Sequence, residues 1–213
     1  MRKGSYGTRL GASLAVAVLA VGLAAAPSLA TTAKTWTVKP GGSFSGRSGK
    51  VTLTDTATGV ALFCKSSSLS GKLKSGRGLP STHIASITAF SISSCLGPLG
   101  NTYTVTTGIF PYYLDTKSYD TARGETTATV TGIRAFMQGF GCFADIDGTT
   151  LTTGGIIKGE YANSTHKLQI ITSGSTLQLY NASSGCLGLF NNGDPMTISG
   201  TYTITPKQAI TSP

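Results

Sequence analysis

Runs in which apolar residues alternate with polar ones constrain the fold of this chain more than any other feature. The clearest are residues 168–172 (LQIIT) and 176–180 (TLQLY), which flank Ser173-Gly174. Side chains at every second position share one face of a β-strand, and a Ser-Gly pair between two such runs predicts a hairpin. After residue 30, no apolar stripe at helical spacing is long enough to predict a helix.

Residue usage agrees with this pattern. β-branched residues dominate, and the Ala-rich, Leu-rich and Glu-rich runs that favour helices are missing after residue 30. Short strand patterns recur along the chain and are separated by Gly, Pro, Asn and Asp. We therefore expect an all-β fold, an antiparallel sandwich or barrel of about ten to thirteen short strands.

Two segments of the chain, residues 87–106 and 177–205, resemble each other. Each has an apolar run, a Cys-Leu-Gly and a Tyr-Thr-(Val/Ile)-Thr strand, with the Tyr 8 residues after the Cys in the first copy and 16 in the second. The similarity predicts a fold built from two duplicated halves. The boundaries are 31–124 for the first half, 125–206 for the second and 207–213 for a short tail, and a shared core is left open.

Residues 1–30 have the composition of a signal peptide. Arg2, Lys3 and Arg9 precede an apolar stretch at residues 12–26, and small residues offer cleavage after Ala30. The alternative is an uncleaved anchor. Cleavage predicts a secreted protein with no membrane association afterwards.

The positive charge is dispersed. Removing residues 1–30 leaves 183 of the 213 residues and a formal net charge of +6, since the +9 of the full chain includes three basic residues of the leader. The densest basic stretch, residues 65–77, either attracts anionic cell-wall polymer or phospholipid or is a solvated face, and the solvated face is favoured. It has no interleaved aromatic residues, so we expect no nucleic-acid partner.

The four cysteines all follow the leader, and an even number in an exported chain predicts disulfides. None has the C-x-x-C spacing of a zinc or redox site. Four cysteines allow three pairings, and the duplication favours one bridge in each half. The expected bridges are Cys64–Cys95 and Cys142–Cys186.

Several segments carry a resemblance to known proteins: 36–42 (WTVKPGG), 52–56 (TLTDT), 94–100 (SCLGPLG) and 192–194 (NGD). With them, the chain resembles a group of small secreted actinobacterial proteins of unknown function that have four cysteines. The resemblance implies export, two disulfides and a β-fold. It transfers no catalytic residue.

Few residues suggest catalysis. His83 and His166 lie in polar stretches and are interpreted as surface residues, and no nucleophile or phosphate-binding motif is present. Asp145 and Asp147 would share one face of a strand, as a shallow calcium site or a glycosidase pair requires. The favoured interpretation is a strand end followed by a hairpin turn at Asp147-Gly148. We therefore predict no metal, no cofactor and no catalytic residue.

Tyr112, Tyr113 and Tyr119 are the candidate binding residues. Aromatic faces stack on sugar rings, and Pro111 suggests that these tyrosines lie at a sheet edge. The favoured interpretation is simple alternation, with Tyr112 outward, Tyr113 inward and one of them in the core. The predicted function is a secreted, non-catalytic β-domain that binds cell-wall or extracellular polysaccharide, or another protein, with cell-wall association possible. The alternative is a secreted hydrolase of polysaccharide, and no oligomeric state is predicted.

Overall fold

The computed structural model describes residues 34–213, and the predicted signal peptide, residues 1–30, lies outside them. The described residues form sixteen strands and two short 3₁₀ turns, Pro98–Gly100 and Ser184–Cys186. The strands are β1 (Trp36–Lys39), β2 (Gly42–Ser48), β3 (Val51–Asp55), β4 (Ala61–Leu73), β5 (Gly76–Leu79), β6 (Ala85–Leu96), β7 (Thr102–Thr107), β8 (Tyr112–Asp120), β9 (Glu125–Ile133), β10 (Ala135–Gly139), β11 (Cys142–Asp147), β12 (Gly155–Ala162), β13 (Lys167–Ile171), β14 (Leu177–Tyr180), β15 (Pro195–Thr205) and β16 (Ala209–Thr211).

Three long strands, β4, β6 and β15, organise the main sheet. Each pairs with two shorter strands that lie end to end along one of its edges. On β4 these are β2 and β3, and on β6 they are β8 and β7. β15 pairs with β13 and β14 along one edge and with β2 and β3 along the other.

This branching closes two circuits of strands. One runs β13–β12–β9–β8–β6–β4–β2–β15 and returns to β13, and the other runs β6–β7–β10–β11–β14–β15–β3–β4 and returns to β6. Each strand of these circuits therefore pairs with neighbours on both sides over part of its length. The predicted antiparallel all-β class is confirmed, with 13 strands in the main sheet and three more, β16–β1–β5, in a small one.

The interior is one apolar cluster with members from both predicted halves. Tyr103 of the first half packs edge to face against Phe190 of the second, with ring centroids 5.9 Å apart. The hydroxyl of Tyr202 lies 2.9 Å from that of Ser67, across the same division. The two predicted halves therefore share one core.

The hairpin predicted around Ser173-Gly174 is wrong in its pairing. Both strands exist, as β13 and β14, but they do not pair with each other. Leu168 of β13 lies opposite Tyr202, and Leu177 of β14 lies opposite Met196. The chain thus continues along β15 instead of turning back, because alternation fixes the face of each strand but not its neighbour.

Both predicted disulfides are present, and no cysteine of the described chain is free. Cys64 and Cys95 face each other in the β4–β6 ladder. Cys142 of β11 is joined to Cys186 in the second 3₁₀ turn. Bridges closing loops of 31 and 44 residues are each worth about 4 kcal/mol in the chain-entropy model. Disulfides indicate an oxidising environment.

The internal repeat stays a prediction. Cys95 lies directly opposite Tyr103 in a strand pair, whereas Cys186 lies in a 3₁₀ turn and Tyr202 in the distant part of β15. Within residues 34–213, no helix is long and apolar enough to cross a membrane.

Candidate functional site

The candidate site is a groove on the outer face of β7, β10 and β11. Along β7, Tyr103 and Val105 point into the core, so Thr102, Thr104 and Thr106 are exposed. Strand geometry spaces successive outward side chains by about 6.8 Å. The strand therefore presents a straight row of three hydroxyl groups.

Phe136 lies at the centre of this face. It is opposite Thr106 on one side and Asp145 on the other, in the middle strand of the three. The next residue, Met137, is fully buried, which turns the partly exposed ring of Phe136 outward. An aromatic face is thus flanked by a hydroxyl and a carboxylate.

The same arrangement repeats two residues further along. Gln138 lies opposite Thr104 on one side and Phe143 on the other. The Phe143 side chain is 48 % exposed, and its ring centroid is 6.4 Å from that of Phe136, with an angle of 31° between the planes. At the β10–β11 turn, Phe140 is 74 % exposed.

Two depressions follow this face. The first has a volume of about 370 Å³ and the second about 500 Å³. Phe136 borders both, so the two depressions adjoin each other, and together they are called the groove here. The first depression is lined by Thr106, Ile109, Arg134, Phe136, Asp145 and Leu151, among others.

Asp147 lies at one end of the groove, and both of its carboxylate oxygens have protein partners. Its Oδ1 accepts hydrogen bonds from the backbone N–H groups of Gly148 and Gly154, both at 2.7 Å. Its Oδ2 is 3.4 Å from the Nε of Arg134, and its side chain is only 6 % exposed. The Arg134 guanidinium also donates to the carbonyl of Thr152. This carboxylate therefore shapes the loop that follows β11.

The carboxylate of Asp145 is accessible to a ligand in the groove. Its Oδ2 accepts one hydrogen bond, from the Nδ2 of Asn181 at 2.7 Å, and the side chain is partly exposed. The calcium site considered for Asp145 and Asp147 is not supported, because Arg134 and two N–H groups already occupy Asp147. Within residues 34–213, no three His, Cys, Asp or Glu side chains converge as metal ligands.

The hairpin predicted at Asp147-Gly148 is wrong, although β11 does end at Asp147. β11 pairs with β10 and β14, whereas the next strand, β12, pairs with β9 and β13. The physical reason is the Asp147 carboxylate. By binding the N–H groups of both Gly148 and Gly154, it folds the intervening residues into a loop that carries the chain elsewhere.

Tyr112 is not a surface residue, which corrects its predicted role. Its side chain is 2 % exposed and packs against Phe110, with ring centroids 4.7 Å apart. The hydroxyl donates to the carbonyls of Gly108 at 3.0 Å and Arg134 at 2.6 Å. Burial raises the pKa of the Tyr112 hydroxyl. The side chain lies inside because Tyr112 is opposite the buried Ile87.

The other candidate tyrosines are not brought together either. Tyr113 is partly exposed and stacks on His83, with ring centroids 4.1 Å apart. Tyr119 is partly buried against the core. The His83 side chain is exposed, and the Nδ1 of His166 is 3.4 Å from the hydroxyl of Tyr161. Neither histidine lines the groove.

No family model matches this chain, and no curated protein or solved structure matches it either. The resemblance to the actinobacterial group therefore stays a prediction. The function has to be inferred from the chemistry of the groove.

Sequence reasoning missed the two phenylalanines at the centre of the groove. The available signal was Cys142, which must point inward to form its bridge. In a strand the next residue then points outward, so Cys142 predicts that Phe143 is exposed. Register across the β10–β11 hairpin then places Phe136 on the same face as Phe143.

Proposed function

We propose that the protein is an exported binding module that holds a polysaccharide chain in the groove of β7, β10 and β11. The observation that supports the proposal most is the pair of outward rings, Phe136 and Phe143, between hydroxyl and amide groups. Aromatic faces stack on the apolar faces of sugar rings. Thr104 and Gln138 supply donors and acceptors for sugar hydroxyls beside those rings.

The charges of the groove favour a neutral polymer over an anionic one. Its guanidinium, on Arg134, is paired with Asp147. Asp145 adds a carboxylate that accepts hydrogen bonds from sugar hydroxyls and repels phosphate or uronate groups. From Thr102 to Thr106 the strand rises by about 14 Å, so the groove fits a short stretch of an extended chain.

Retention on insoluble polysaccharides tests this proposal. We expect the double variant Phe136→Ala, Phe143→Ala to bind at least tenfold more weakly, because losing two stacking contacts removes at least about 1.4 kcal/mol. Phe63→Ala is the matched control, since Phe63 is 51 % exposed and does not line the groove. Equal losses in the control, or full retention of the double variant, would contradict the proposal.

Hydrolysis of the same polymer is the alternative, and one feature supports it: Asp145 lines a concave cleft. Glycosidases use two carboxyl groups on opposite sides of the bond that is cleaved. The other carboxylate that lines the cleft, Asp147, is bound by Arg134 and two N–H groups. We therefore expect no release of reducing ends from any polymer that is retained. Release that disappears in Asp145→Asn would establish the hydrolase instead.

Export is part of the proposal. The two disulfides support it, because structural disulfides form in oxidising compartments. We expect the mature chain to begin at or near Thr31. N-terminal sequencing of protein from the culture medium measures this directly, and an intact Met1 would contradict export by cleavage.

A further inference from the structure

Asp55, at the end of β3, is a buried carboxylate that the groove does not use. Its side chain is fully buried. The Oδ1 atom accepts hydrogen bonds from the N–H groups of Ala57 at 2.9 Å and Thr58 at 3.0 Å. The Oδ2 atom is also buried and has no hydrogen-bond partner within residues 34–213. Such an orphan oxygen is unusual, because buried polar atoms are almost always paired.

A second carboxyl group, that of Asp194, lies beside it. Asp55 is opposite Met196 in the β3–β15 pair, and the N–H of Thr56 donates to the carbonyl of Pro195 at 2.9 Å. The Asp194 side chain is therefore held within hydrogen-bonding reach of Asp55. The two residues are 139 positions apart in the chain.

Asp194 is arranged in the same way as Asp55. Its Oδ2 accepts hydrogen bonds from both the backbone N–H and the Nδ2 of Asn191, each at 2.9 Å. Each carboxyl thus has one oxygen bound by two N–H groups. Within residues 34–213, the Oδ2 of Asp55 is left without a donor, next to a second carboxyl group.

Two carboxyl groups in contact need a proton or a cation between them, because two negative charges at that distance repel each other. Burial and the neighbouring Asp194 raise the pKa of Asp55, although the N–H groups of Thr58 and Ala57 act in the opposite direction. This is the electrostatic penalty that a bound cation would remove. Asp194 is partly exposed, which gives an ion and its water ligands a path from solvent.

We propose that Asp55 and Asp194 bind one calcium ion. Calcium takes six to eight oxygen ligands from carboxylates, carbonyls and water in flexible geometry. Two carboxylates supply the charge here, and backbone carbonyls and water complete the shell. The ion ties the turn after β3 to the loop before β15, the loop that also contains the disulfide-bonded Cys186.

Thermal unfolding of the full mature protein, first stripped with EDTA, tests the site. At pH 7, with free calcium varied from micromolar to 10 mM, we expect the midpoint to rise. Each tenfold increase above the dissociation constant should raise the folding equilibrium constant about tenfold. Terbium luminescence on the wild-type protein, displaced by calcium, measures binding without any substitution.

The variant Asp194→Asn gives a two-sided test. It should abolish the calcium response and, without calcium, be more stable than the wild type at pH 7, because the repulsion between the carboxylates is gone. Asp145→Asn, which removes an acid of the groove, is the matched control and should keep the full response. A wild type that ignores calcium and gains stability only on acidification would show a shared proton instead and overturn the proposal.

Discussion

Two aromatic clusters of this protein differ in burial in the direction opposite to the one that their polarity suggests. Tyr112 on β8, which has a hydroxyl, is buried, whereas Phe136 and Phe143 on β10 and β11 are partly or half exposed. The neighbours in each strand decide this. Tyr112 lies opposite the buried Ile87, and Phe143 follows the inward Cys142.

The comparison shows that the alternation of side chains along a strand decides which residues are buried, even where the polarity of a single side chain favours the opposite. A buried tyrosine is tolerated when its hydroxyl finds acceptors, and Tyr112 finds two carbonyls where the chain leaves β7 and β9. An exposed phenylalanine forgoes burial worth about 1.5–3 kcal/mol. Two such residues on one face are the basis of the proposed polysaccharide groove.

The largest expected effect is at Tyr112. Tyr112→Ala should lower the free energy of unfolding by about 3–5 kcal/mol, because it leaves a cavity where a large ring was buried. Tyr112→Phe keeps the ring but leaves the carbonyls of Gly108 and Arg134 without their donor, which should cost about 1–3 kcal/mol. Urea unfolding measures both.

Phe143→Ala is the control for this prediction, since half of its side chain is already in solvent. We expect it to change the free energy of unfolding by no more than about 1 kcal/mol. Comparable losses at Tyr112 and Phe143 would break the contrast between an interior and an exterior cluster.

A second interior tyrosine, Tyr202, extends the comparison, because its burial makes the stability of the protein depend on pH. Burial raises its pKa to about 12, although the hydrogen bond with Ser67 acts in the opposite direction. Because the pKa in the folded protein exceeds the ordinary value of 10, the stability from neutral Tyr202 is complete below pH 10. It is lost as the pH rises through 12, by about 2–3 kcal/mol in all.

The difference between wild type and Tyr202→Phe isolates this effect from the other tyrosines. The variant should lose less stability than the wild type between pH 10 and 12, as measured by urea unfolding at several pH values. Parallel curves for the two proteins would mean that Tyr202 titrates normally.

The smallest expected effect concerns the most exposed apolar side chain, Leu99, which is 98 % exposed. Its φ is +58°, a left-handed conformation that costs a non-glycine residue about 1–2 kcal/mol. Leu99→Gly should therefore stabilise the protein by about 0.5–1 kcal/mol, after the entropy lost by glycine is subtracted. Differential scanning calorimetry measures the shift.

Leu96→Gly is the matched control, because Leu96 is also exposed but lies within strand β6. It should destabilise, since glycine weakens a strand. Ile109, Phe140 and Leu187 are likewise exposed with positive φ. A destabilising Leu99→Gly would show that this turn is not strained.

Several features were predictable from local sequence. The all-β class followed from alternation, and the disulfide pairing followed from the similarity of the segments around Cys95 and Cys186. The strand end at Asp147 was also predictable. The pairing partners of β13 and β14 were not predictable. Both strands pair with β15, which lies further along the chain, and no local sequence pattern shows that β15 is long enough to pair with both. The groove was missed for a related reason: its three strands contribute residues that only register brings together.

By itself the sequence determined which residues share a face, because that depends only on the two-residue period of a strand. The tertiary structure alone decided which face is buried, which strands are neighbours and which distant groups meet. Tyr112 is inside because of Ile87, and Asp55 meets Asp194 across β3 and β15. The reason is physical: the period is set within one strand, whereas burial and electrostatic contact are set between strands far apart in the chain.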